Sequence, residues 1–314
     1  MDSVYIGIDI GGTNLRFALV GEDGTILKRS RCASSIEQGR EAFCKRLTVG
    51  ISEMLDSTGT LNAPVAGIGV GVPGVIGSDG MIYSSVNMRP LDGFNLTTFL
   101  TDTYGTAVAC GNDANVIALG EHAYGAGRGL SSYVVISIGT GLGSGLILDG
   151  RLWTGVGGFA AEFGHSTVDP EGIPCPCGNR GCLEQYVSAG AVVRFARQYA
   201  LRERLNMIGD NLDAALLAKL ARQGDPTGVA AYKSAGGWLG VGLASLVNTL
   251  NLEAVIIRGG VAESLDLMLP ALNQELSQRC FSQMRDQFSI LSGECGDDAG
   301  LLGAVALVRN LSDQ

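Results

Sequence analysis

The side chains with the clearest capacity for chemistry lie between residues 157 and 184. His165, one of the two histidines, is followed by Cys175, Cys177 and Cys182. Three thiolates and one imidazole form a ligand set that tetrahedral zinc binds readily. Glycines beside the cysteines allow the tight turns that would bring the four side chains together. The single residue between Cys175 and Cys177 is a shorter spacing than zinc fingers use, so a redox pair or an idle cysteine cluster remains the alternative.

A glycine turn near the N-terminus offers a second kind of chemistry. The apolar run 4–10 predicts a buried strand, Gly11-Gly12-Thr13 interrupts it, and the run 15–20 predicts a second strand. The turn of such a hairpin exposes successive backbone N–H groups beside the Thr13 hydroxyl, and these donors suit an anion such as a phosphate. A tight hairpin that binds no ligand is the alternative.

A similar unit follows in the middle of the chain. Residues 133–138 and 144–149 predict strands on either side of the turn Gly139-Thr140-Gly141-Leu142-Gly143. Two such units at corresponding places indicate a duplicated architecture, in which two lobes each present a phosphate-binding turn to a shared cleft. The dipeptide Gly-Lys does not occur in the sequence, which excludes a Walker A loop.

A carboxylate follows another predicted strand. Residues 107–112 are mostly apolar and lead into a helical pattern at 116–122, so Asp113 would lie close to a helix N-terminus. A negative charge is stabilised at that position. The residues alone favour an N-cap over a general base. His122, on the same helix, has no partner nearby in sequence and reads as an ordinary surface or core histidine.

Apolar spacing gives a coarse outline of the remaining elements. It predicts helices at 43–55, 190–200, 212–221, 227–248 and 300–308, and a buried strand at 254–257. Residues 69–74 formally match G-x-G-x-x-G, but Pro73 and the residues after it cannot open the helix that a dinucleotide site requires. The glycines at 236–242 lie inside a predicted helix, where close packing against a nucleotide or against a neighbouring helix would explain them.

Composition narrows the class of protein. The chain has 314 residues, is 46% hydrophobic and carries a net charge of −9. It can form one large core or two modest ones, and the acidic balance argues against nucleic acid as a partner. We expect no signal peptide and no membrane span, and hence a cytoplasmic protein with reduced thiols. The 47 glycines suit a backbone that repeatedly approaches a ligand.

Three motifs together resemble one family. The pattern His-x9-Cys-x-Cys-Gly-x-x-Gly-Cys-Leu-Glu, which ends at Glu184, resembles the zinc signature of the ROK family of bacterial glucokinases, other sugar kinases and related repressors. Asp9-Ile-Gly-Gly-Thr13 resembles the first phosphate loop of actin-like sugar kinases. Residues 111–121, Gly-Asn-Asp-Ala-Asn-x-x-Ala-Leu-Gly-Glu, are similar to the catalytic motif of the family. The resemblance extends from Asp9 to Gly303.

The resemblance implies an α/β, actin-like (ribonuclease H-like) fold with two lobes, a duplicated core and a cleft between them. It places residues 1–112 and 299–314 in a small lobe with the first phosphate loop, and residues 113–298 in a larger lobe with the second loop and the zinc-binding loop. A homodimer or homotetramer is also implied. The first strand begins at Val4, which we expect to leave no room for the helix-turn-helix domain of the repressors.

The resemblance also assigns roles to individual residues. Asp113 would be the general base. The sugar would be bound by Gly74, Asn112, Asp113, Glu162, His165 and Glu184. The nucleotide would be bound by Asp9, Gly11, Gly12, Thr13, Asn14, Thr140, Gly141, Gly143, Gly259 and Gly260. A structural zinc would be held by His165, Cys175, Cys177 and Cys182. Two positions depart from the family pattern: Asn14 replaces a lysine, and Arg258 replaces a glycine before Gly259.

The expected reaction is phosphorylation of the 6-hydroxyl of a hexose by ATP and Mg²⁺, with Asp9 holding the ion through water. Glucose is the first choice of substrate, ahead of N-acetylmannosamine, N-acetylglucosamine, allose and fructose. A sugar sensor without catalytic activity is the alternative from another class. Since the glycine turns themselves contain no zinc ligand, we expect zinc removal to abolish sugar binding first and to leave ATP bound.

Overall fold

The computed structural model describes residues 3–59, 63–85, 88–205 and 211–312. Val86 and Asn87, in the stretch 84–94 that corresponds only loosely to a sugar-proximal segment of the family, lie outside the described residues. The chain divides into two compact units. Unit 1 comprises residues 1–130, 145–161 and 293–314, and unit 2 comprises residues 131–144 and 162–292.

Thirteen strands form three sheets in the described residues. They are β1 (Val4–Ile10), β2 (Asn14–Gly21), β3 (Ile26–Ala33), β4 (Val65–Val72), β5 (Val75–Ile76), β6 (Met81–Ser84), β7 (Phe94–Asn95), β8 (Ala107–Asn112), β9 (Tyr133–Ile138), β10 (Leu142–Leu148), β11 (Arg151–Leu152), β12 (Ala254–Arg258) and β13 (Ser289–Ser292). The orders are β3-β2-β1-β4-β8, β11-β10-β9-β12-β13 and β5-β6-β7.

The helices confirm most of the expected outline, with ends that differ by a few residues. They are α1 (Arg40–Thr58), α2 (Leu96–Tyr104), α3 (Asp113–Tyr124), α4 (Glu184–Val187), α5 (Ala189–Arg202), α6 (Ala214–Arg222), α7 (Pro226–Leu250), α8 (Leu265–Arg279), α9 (Ser282–Arg285) and α10 (Ala299–Ser312). Helix α8 was not expected, because Pro270 inside it weakens the helical signal.

Unit 1 is organised around its central strand. Strand β1 pairs antiparallel with β2, which confirms the expected hairpin, and parallel with β4. Strand β1 is buried along nearly its whole length, as its apolar and β-branched sequence requires. Helix α1 buries Phe43, Leu47, Ile51 and Met54 in the core of this unit. Phe43, Leu47 and Ile51 belong to the apolar stripe that predicted the helix from sequence, whereas Leu55, the fourth residue of that stripe, is only partly buried.

Helix α10 packs against the same sheet, and glycines of β4 make room for it. A Cβ atom on Gly69 would overlap the backbone carbonyl of Ala304 in α10. Only glycine allows this approach of helix to strand. The formal G-x-G-x-x-G pattern at 69–74 therefore contributes to packing inside the protein, in agreement with the exclusion of a dinucleotide site.

Unit 2 pairs β12 in parallel with both β9 and β13 and packs the long helix α7 against α8. The glycines inside α7 now have a cause. A Cβ atom on Gly236 would overlap the backbone carbonyl of Met268 in α8. Of the two explanations that the sequence left open, the neighbouring helix is the one observed for this glycine.

In the described ranges, no helix combines the length and the apolar character needed to cross a bilayer.

Candidate active site and metal centre

The four residues predicted to bind zinc lie together in unit 2. One potential ligand atom from each of His165, Cys175, Cys177 and Cys182 lies within 4.8 Å of all the others. The Sγ atom of Cys175 is 3.7 Å from Nδ1 of His165, and the Sγ atoms of Cys177 and Cys182 are 3.7 Å apart. A tetrahedral zinc site with Zn–S bonds of about 2.3 Å and a Zn–N bond of about 2.0 Å has edges of about 3.5–3.8 Å. Both the donor set and its spacing fit zinc.

Short backbone pairings bring these ligands together. Cys182 forms an antiparallel bridge with Thr167, close to His165, and the N–H of Cys175 donates to the carbonyl of Asn179 at 2.8 Å. Gly181 has a φ of 69°, and a Cβ atom there would overlap the carbonyl of Asp169. The expectation that glycines permit this convergence is thus confirmed at Gly181. Four protein ligands leave no open position, so an ion here would stabilise structure.

The protein environment shifts the pKa values of two of these cysteines in opposite directions. Burial raises the pKa of the Cys182 thiol to about 12. The backbone N–H of Asn179 lowers the pKa of Cys177. The side-chain amide of Gln185 donates to Sγ of Cys175 at 3.7 Å. A buried thiol such as that of Cys182 becomes a thiolate at neutral pH only when a positive charge lies beside it, which a divalent metal ion would supply.

The second glycine turn also lies in unit 2. Glu184, the first residue of α4, accepts a hydrogen bond at Oε2 from the N–H of Leu142 at 2.9 Å. Within the turn, the N–H of Gly139 donates to the carbonyl of Gly141 at 2.9 Å. Glu184, predicted as a sugar ligand, therefore contacts the predicted phosphate turn directly.

The glycines after β12 lie at the base of the same turn. The N–H of Val261 donates to the carbonyl of Ile138 at 3.1 Å, and a Cβ atom on Gly259 would overlap that carbonyl. Arg258, the departure from the family pattern, pairs in register with Ser137. Unit 2 thus contains five of the predicted nucleotide residues, Thr140, Gly141, Gly143, Gly259 and Gly260, and Gly259 packs against the residue that precedes the turn.

The first glycine turn, in unit 1, is held by a serine that follows β3. The hydroxyl of Ser34 donates to the carbonyl of Gly12 at 2.6 Å, and its N–H donates to the carbonyl of Thr13 at 3.0 Å. The N–H of Gly11 donates to the carbonyl of Asn14 at 2.9 Å. In a trans peptide the N–H points opposite to the carbonyl, so the N–H of Thr13 points away from Ser34.

Asp9, at the end of β1, lies next to a positive charge and a helix N-terminus. The Arg16 guanidinium contacts Oδ2 of Asp9 at 3.4 Å and donates to the carbonyl of Asp297 at 2.8 Å. A Cβ atom on Gly300, in the first turn of α10, would lie 3.1 Å from Cγ of Asp9. Both neighbours stabilise negative charge on Asp9, which is suited to holding a cation through water.

Asn112, and not Asp113, caps helix α3. Oδ1 of Asn112 accepts hydrogen bonds from the N–H groups of Ala114 at 2.9 Å and Asn115 at 3.2 Å, and its Nδ2 donates to the carbonyl of Gly74 at 3.0 Å. Asp113 is the first helical residue, and its Oδ1 accepts from Ala114 N–H at 2.9 Å. The interpretation of Asp113 as the N-cap is therefore wrong by one position.

These two units together carry the sequence features of one family. A model of the ROK family matches residues 5–311. The chain belongs to the ROK family. Its relatives include a glucokinase of Thermotoga maritima, 33% identical over 97% of this chain and 96% of that protein. A xylose repressor of Bacillus subtilis is 32% identical over 96% of this chain and 76% of its own length.

A solved structure extends this likeness to the fold. A ROK family glucokinase from Streptomyces griseus, in complex with glucose and AMPPNP, is 31% identical, with a TM-score of 0.79 over 98% of this chain and 100% of that one. The expected α/β, actin-like fold with two lobes is therefore confirmed. The cluster of one histidine and three cysteines is consistent with a ROK zinc site.

Sequence reasoning missed several residues that shape these sites in this ROK protein. Ser34 is 1% exposed and orients the first glycine turn. Arg16 contacts Asp9 from the next strand. Glu121, 0% exposed, ends the motif at residues 111–121 and accepts hydrogen bonds from the N–H groups of Ala126, Glu294 and Cys295. In the sequence, only the position of Glu121 at the end of the motif could have indicated its role, and nothing in the sequence indicated the role of Ser34.

Proposed function

We propose that this ROK protein transfers the γ-phosphoryl group of ATP to the 6-hydroxyl of a hexose, with glucose as the first candidate. Support comes from the Thermotoga maritima relative, a glucokinase at 33% identity, and from the Streptomyces griseus glucokinase that binds glucose and AMPPNP. Phosphoryl transfer requires a base near the attacking hydroxyl, donors for the phosphate oxygens and a magnesium ion. The chain offers residues for each requirement.

The observation that carries the proposal is that Asn112 caps helix α3, while the neighbouring Asp113 places a carboxylate in the first turn of the helix. Asn112 provides both N-cap hydrogen bonds of α3 and also binds the carbonyl of Gly74. Asn112 is therefore the cap of this helix, and the Asp113 carboxylate, whose Oδ1 accepts a hydrogen bond from the N–H of Ala114, does not have to fill that position. A carboxylate in the first helical turn keeps its negative charge, as a group that accepts a proton from a sugar hydroxyl must.

The two glycine turns would bind the phosphates through backbone N–H groups. The N–H of Thr13 is directed by the contact between Ser34 and Gly12, and Thr13 and Thr140 add hydroxyls. In the second turn the N–H groups of Gly139 and Leu142 already bond within the protein. Phosphate contacts there would come from Thr140, Gly141 and Gly143. Magnesium, when bound, neutralises phosphate charge, and Asp9 would hold it through water.

Sugar hydroxyls would be recognised by side chains that include both hydrogen-bond donors and hydrogen-bond acceptors. Asn112 offers an amide, and Glu162 and Glu184 offer carboxylates. In His165, Nδ1 faces the sulfur of Cys175, so the other ring nitrogen, Nε2, would carry the proton and donate to an oxygen. A zinc ion on Nδ1 would therefore fix the orientation of a sugar donor.

A panel of hexoses tested with Mg-ATP, with ADP release as the readout, examines this proposal. We expect glucose to stimulate release most strongly. Asp113→Asn should keep the sugar affinity, measured by calorimetry, and lower turnover on the order of 10²–10⁴-fold because an amide cannot accept the proton. If no hexose raises ADP release above the basal rate, the kinase proposal fails. Near-normal turnover of Asp113→Asn would remove Asp113 as the base.

A sugar sensor is the second candidate, because the Bacillus subtilis relative at 32% identity is a xylose repressor. The same experiment separates the two. A sensor would bind a sugar in calorimetry and release no additional ADP.

A further inference from the structure

The second glycine turn is held by the part of the chain that carries the metal ligands, residues 162–190, which we name the ligand segment. Glu184 accepts the N–H of Leu142 at 2.9 Å. The N–H of Ala189 donates to the carbonyl of Gly139 at 2.9 Å. The N–H of Phe163 donates to the hydroxyl of Ser144 at 3.2 Å. The two ends of the ligand segment thus bond to the turn at two places and to Ser144, the residue that follows it, at a third.

Two further contacts are close: the one at Gly164 is with backbone and allows only glycine, and the one at Gly141 is with the movable end of the Glu184 side chain. A Cβ atom on Gly141 would lie 2.5 Å from Oε2 of Glu184, and one on Gly164 would overlap the carbonyl of Leu142. The glycines at 141 and 164 therefore allow the turn and the ligand segment to fit against each other without a gap.

All of these contacts except that of Ala189 lie within two residues of a metal ligand in the chain. Phe163 and Gly164 directly precede His165, and Glu184 is two residues after Cys182. The N–H of Leu183 donates to the carbonyl of Ser166 at 2.9 Å, which ties the two ends of the ligand segment together. Between residues 166 and 183 the described backbone contains turns and isolated bridges but no helix or strand. Its shape therefore depends strongly on the cross-link that a metal would provide.

We propose that the metal site keeps the second glycine turn in its phosphate-binding shape, with Glu184 as the positioning residue between them. Metal binding then controls nucleotide affinity as well as sugar affinity. The nucleotide part rests on the proposed function, whereas the mechanical part concerns the turn alone. The inference replaces the expectation that zinc removal leaves ATP bound.

Hydrogen–deuterium exchange of the full chain tests the mechanical part without any ligand. Zinc-loaded protein should protect amides in residues 139–144, and removal of zinc with a chelator should increase exchange there. Residues 11–14, in the first turn, serve as the internal reference and should exchange equally in both samples. Unchanged protection of 139–144 in folded, metal-free protein would overturn the proposal.

Binding of AMPPNP in the absence of sugar tests the nucleotide part. Zinc-loaded Glu184→Ala should bind AMPPNP roughly 10- to 100-fold more weakly, because a charge-assisted bond to the turn is lost. Glu184→Gln retains an acceptor for Leu142 and should recover most of the affinity. The matched control is Glu171→Gln, a charge change at an exposed position of the ligand segment. Zinc content must stay at one per chain in all three.

Failure of the proposed function and failure of this inference would give different results. A residue that contacts only sugar would leave AMPPNP binding unchanged when sugar is absent, so an unaltered affinity of Glu184→Ala overturns the positioning role. If the unmodified protein binds no AMPPNP, the proposed function fails, and exchange at residues 139–144 still decides the mechanical part. If metal removal unfolds the whole chain, zinc-loaded Glu184→Ala supplies the exchange measurement, with faster exchange at 139–144 expected and unchanged exchange overturning the proposal.

Discussion

The two glycine turns are similar in sequence and are held by different parts of the chain. The first, at Gly11–Asn14, is closed by its own hairpin and by Ser34, which is 22 residues from Gly12 in sequence. The second, at Gly139–Gly143, is held by Glu184, which is 42 residues from Leu142 and adjoins the metal ligands. One turn is thus part of a local sheet, and the other depends on an irregular segment.

This difference has a physical reason. A hairpin and its next strand satisfy the backbone groups of the first turn within one continuous sheet. The ligand segment has no such regular pairing, and ordering a long irregular segment costs conformational entropy. A metal cross-link offsets this cost, since structural zinc contributes on the order of 10 kcal/mol to its local fold. We therefore expect the two turns to respond independently to substitutions in their supports.

The largest effect on the free energy of unfolding is expected from substitution of Glu121, whose carboxylate is buried in unit 1. Glu121→Ala would remove a side chain that is 0% exposed and leave the part-buried N–H groups of Ala126, Glu294 and Cys295 without their acceptor. We expect a loss of about 3 kcal/mol or more in the free energy of unfolding, measured by urea denaturation. Zinc content should stay at one per chain, because the metal site lies in the other unit.

The matched control for that substitution is Glu253→Ala. Glu253 is exposed and accepts one backbone N–H, that of Ser131 in unit 2, so its loss should cost about 1 kcal/mol. An equal loss in the free energy of unfolding for the two variants would show that Glu121, despite its burial and its three hydrogen bonds, contributes no more to stability than Glu253. Loss of zinc from Glu121→Ala would contradict the independence of the two supports.

Residue types and short spacing were enough to predict several features. The zinc ligands lie within 20 residues of each other, and few other kinds of site combine one histidine with three cysteines. The hairpin at Gly11 is formed by strands that are adjacent in sequence. Features that depend on distant backbone, or on the exact residue at which a helix begins, could not be predicted. The contact between Glu184 and Leu142 and the cap by Asn112 instead of Asp113 depend on three-dimensional placement. A one-residue shift of a helix start lies beyond the resolution of apolar spacing.

The glycine content illustrates the same limit. The sequence suggested that its glycines allow backbone to approach a ligand. Gly69 and Gly236 instead allow backbone of one element to approach backbone of another. Both uses require the absence of a Cβ atom, so a single sequence cannot distinguish them. The partner is visible only once the packing is known.

A smaller effect is expected at the support of the first turn. Ser34→Ala removes the hydrogen bond to Gly12 in a buried place, with an expected loss of about 1–2 kcal/mol in the free energy of unfolding. AMPPNP affinity should fall several-fold, because the N–H of Thr13 is no longer fixed. Exchange at residues 139–144 should not change. The control is Ser30→Ala, whose hydroxyl on β3 contacts Glu53 instead. Faster exchange at 139–144 in Ser34→Ala would contradict separate supports.

The smallest effect concerns the charge beside Asp9. The Arg16–Asp9 contact is 3.4 Å long, with side chains that are 30% and 27% exposed, so Arg16→Met should change the free energy of unfolding by about 1 kcal/mol or less. A guanidinium on Asp9 competes with a divalent cation for the same carboxylate. Removing it should therefore lower the magnesium concentration that gives half-maximal ADP release, by a few-fold.

Magnesium titrations at saturating ATP and hexose would measure this shift. Arg46→Met, the same change on the exposed side of α1, controls for the loss of one positive charge from unit 1. An increased magnesium requirement in Arg16→Met would mean that Arg16 orients Asp9 toward the ion instead of competing with it. In that case the first turn, like the second, would depend on a separate side chain that positions a charged residue, and the contrast between the two turns would become one of degree.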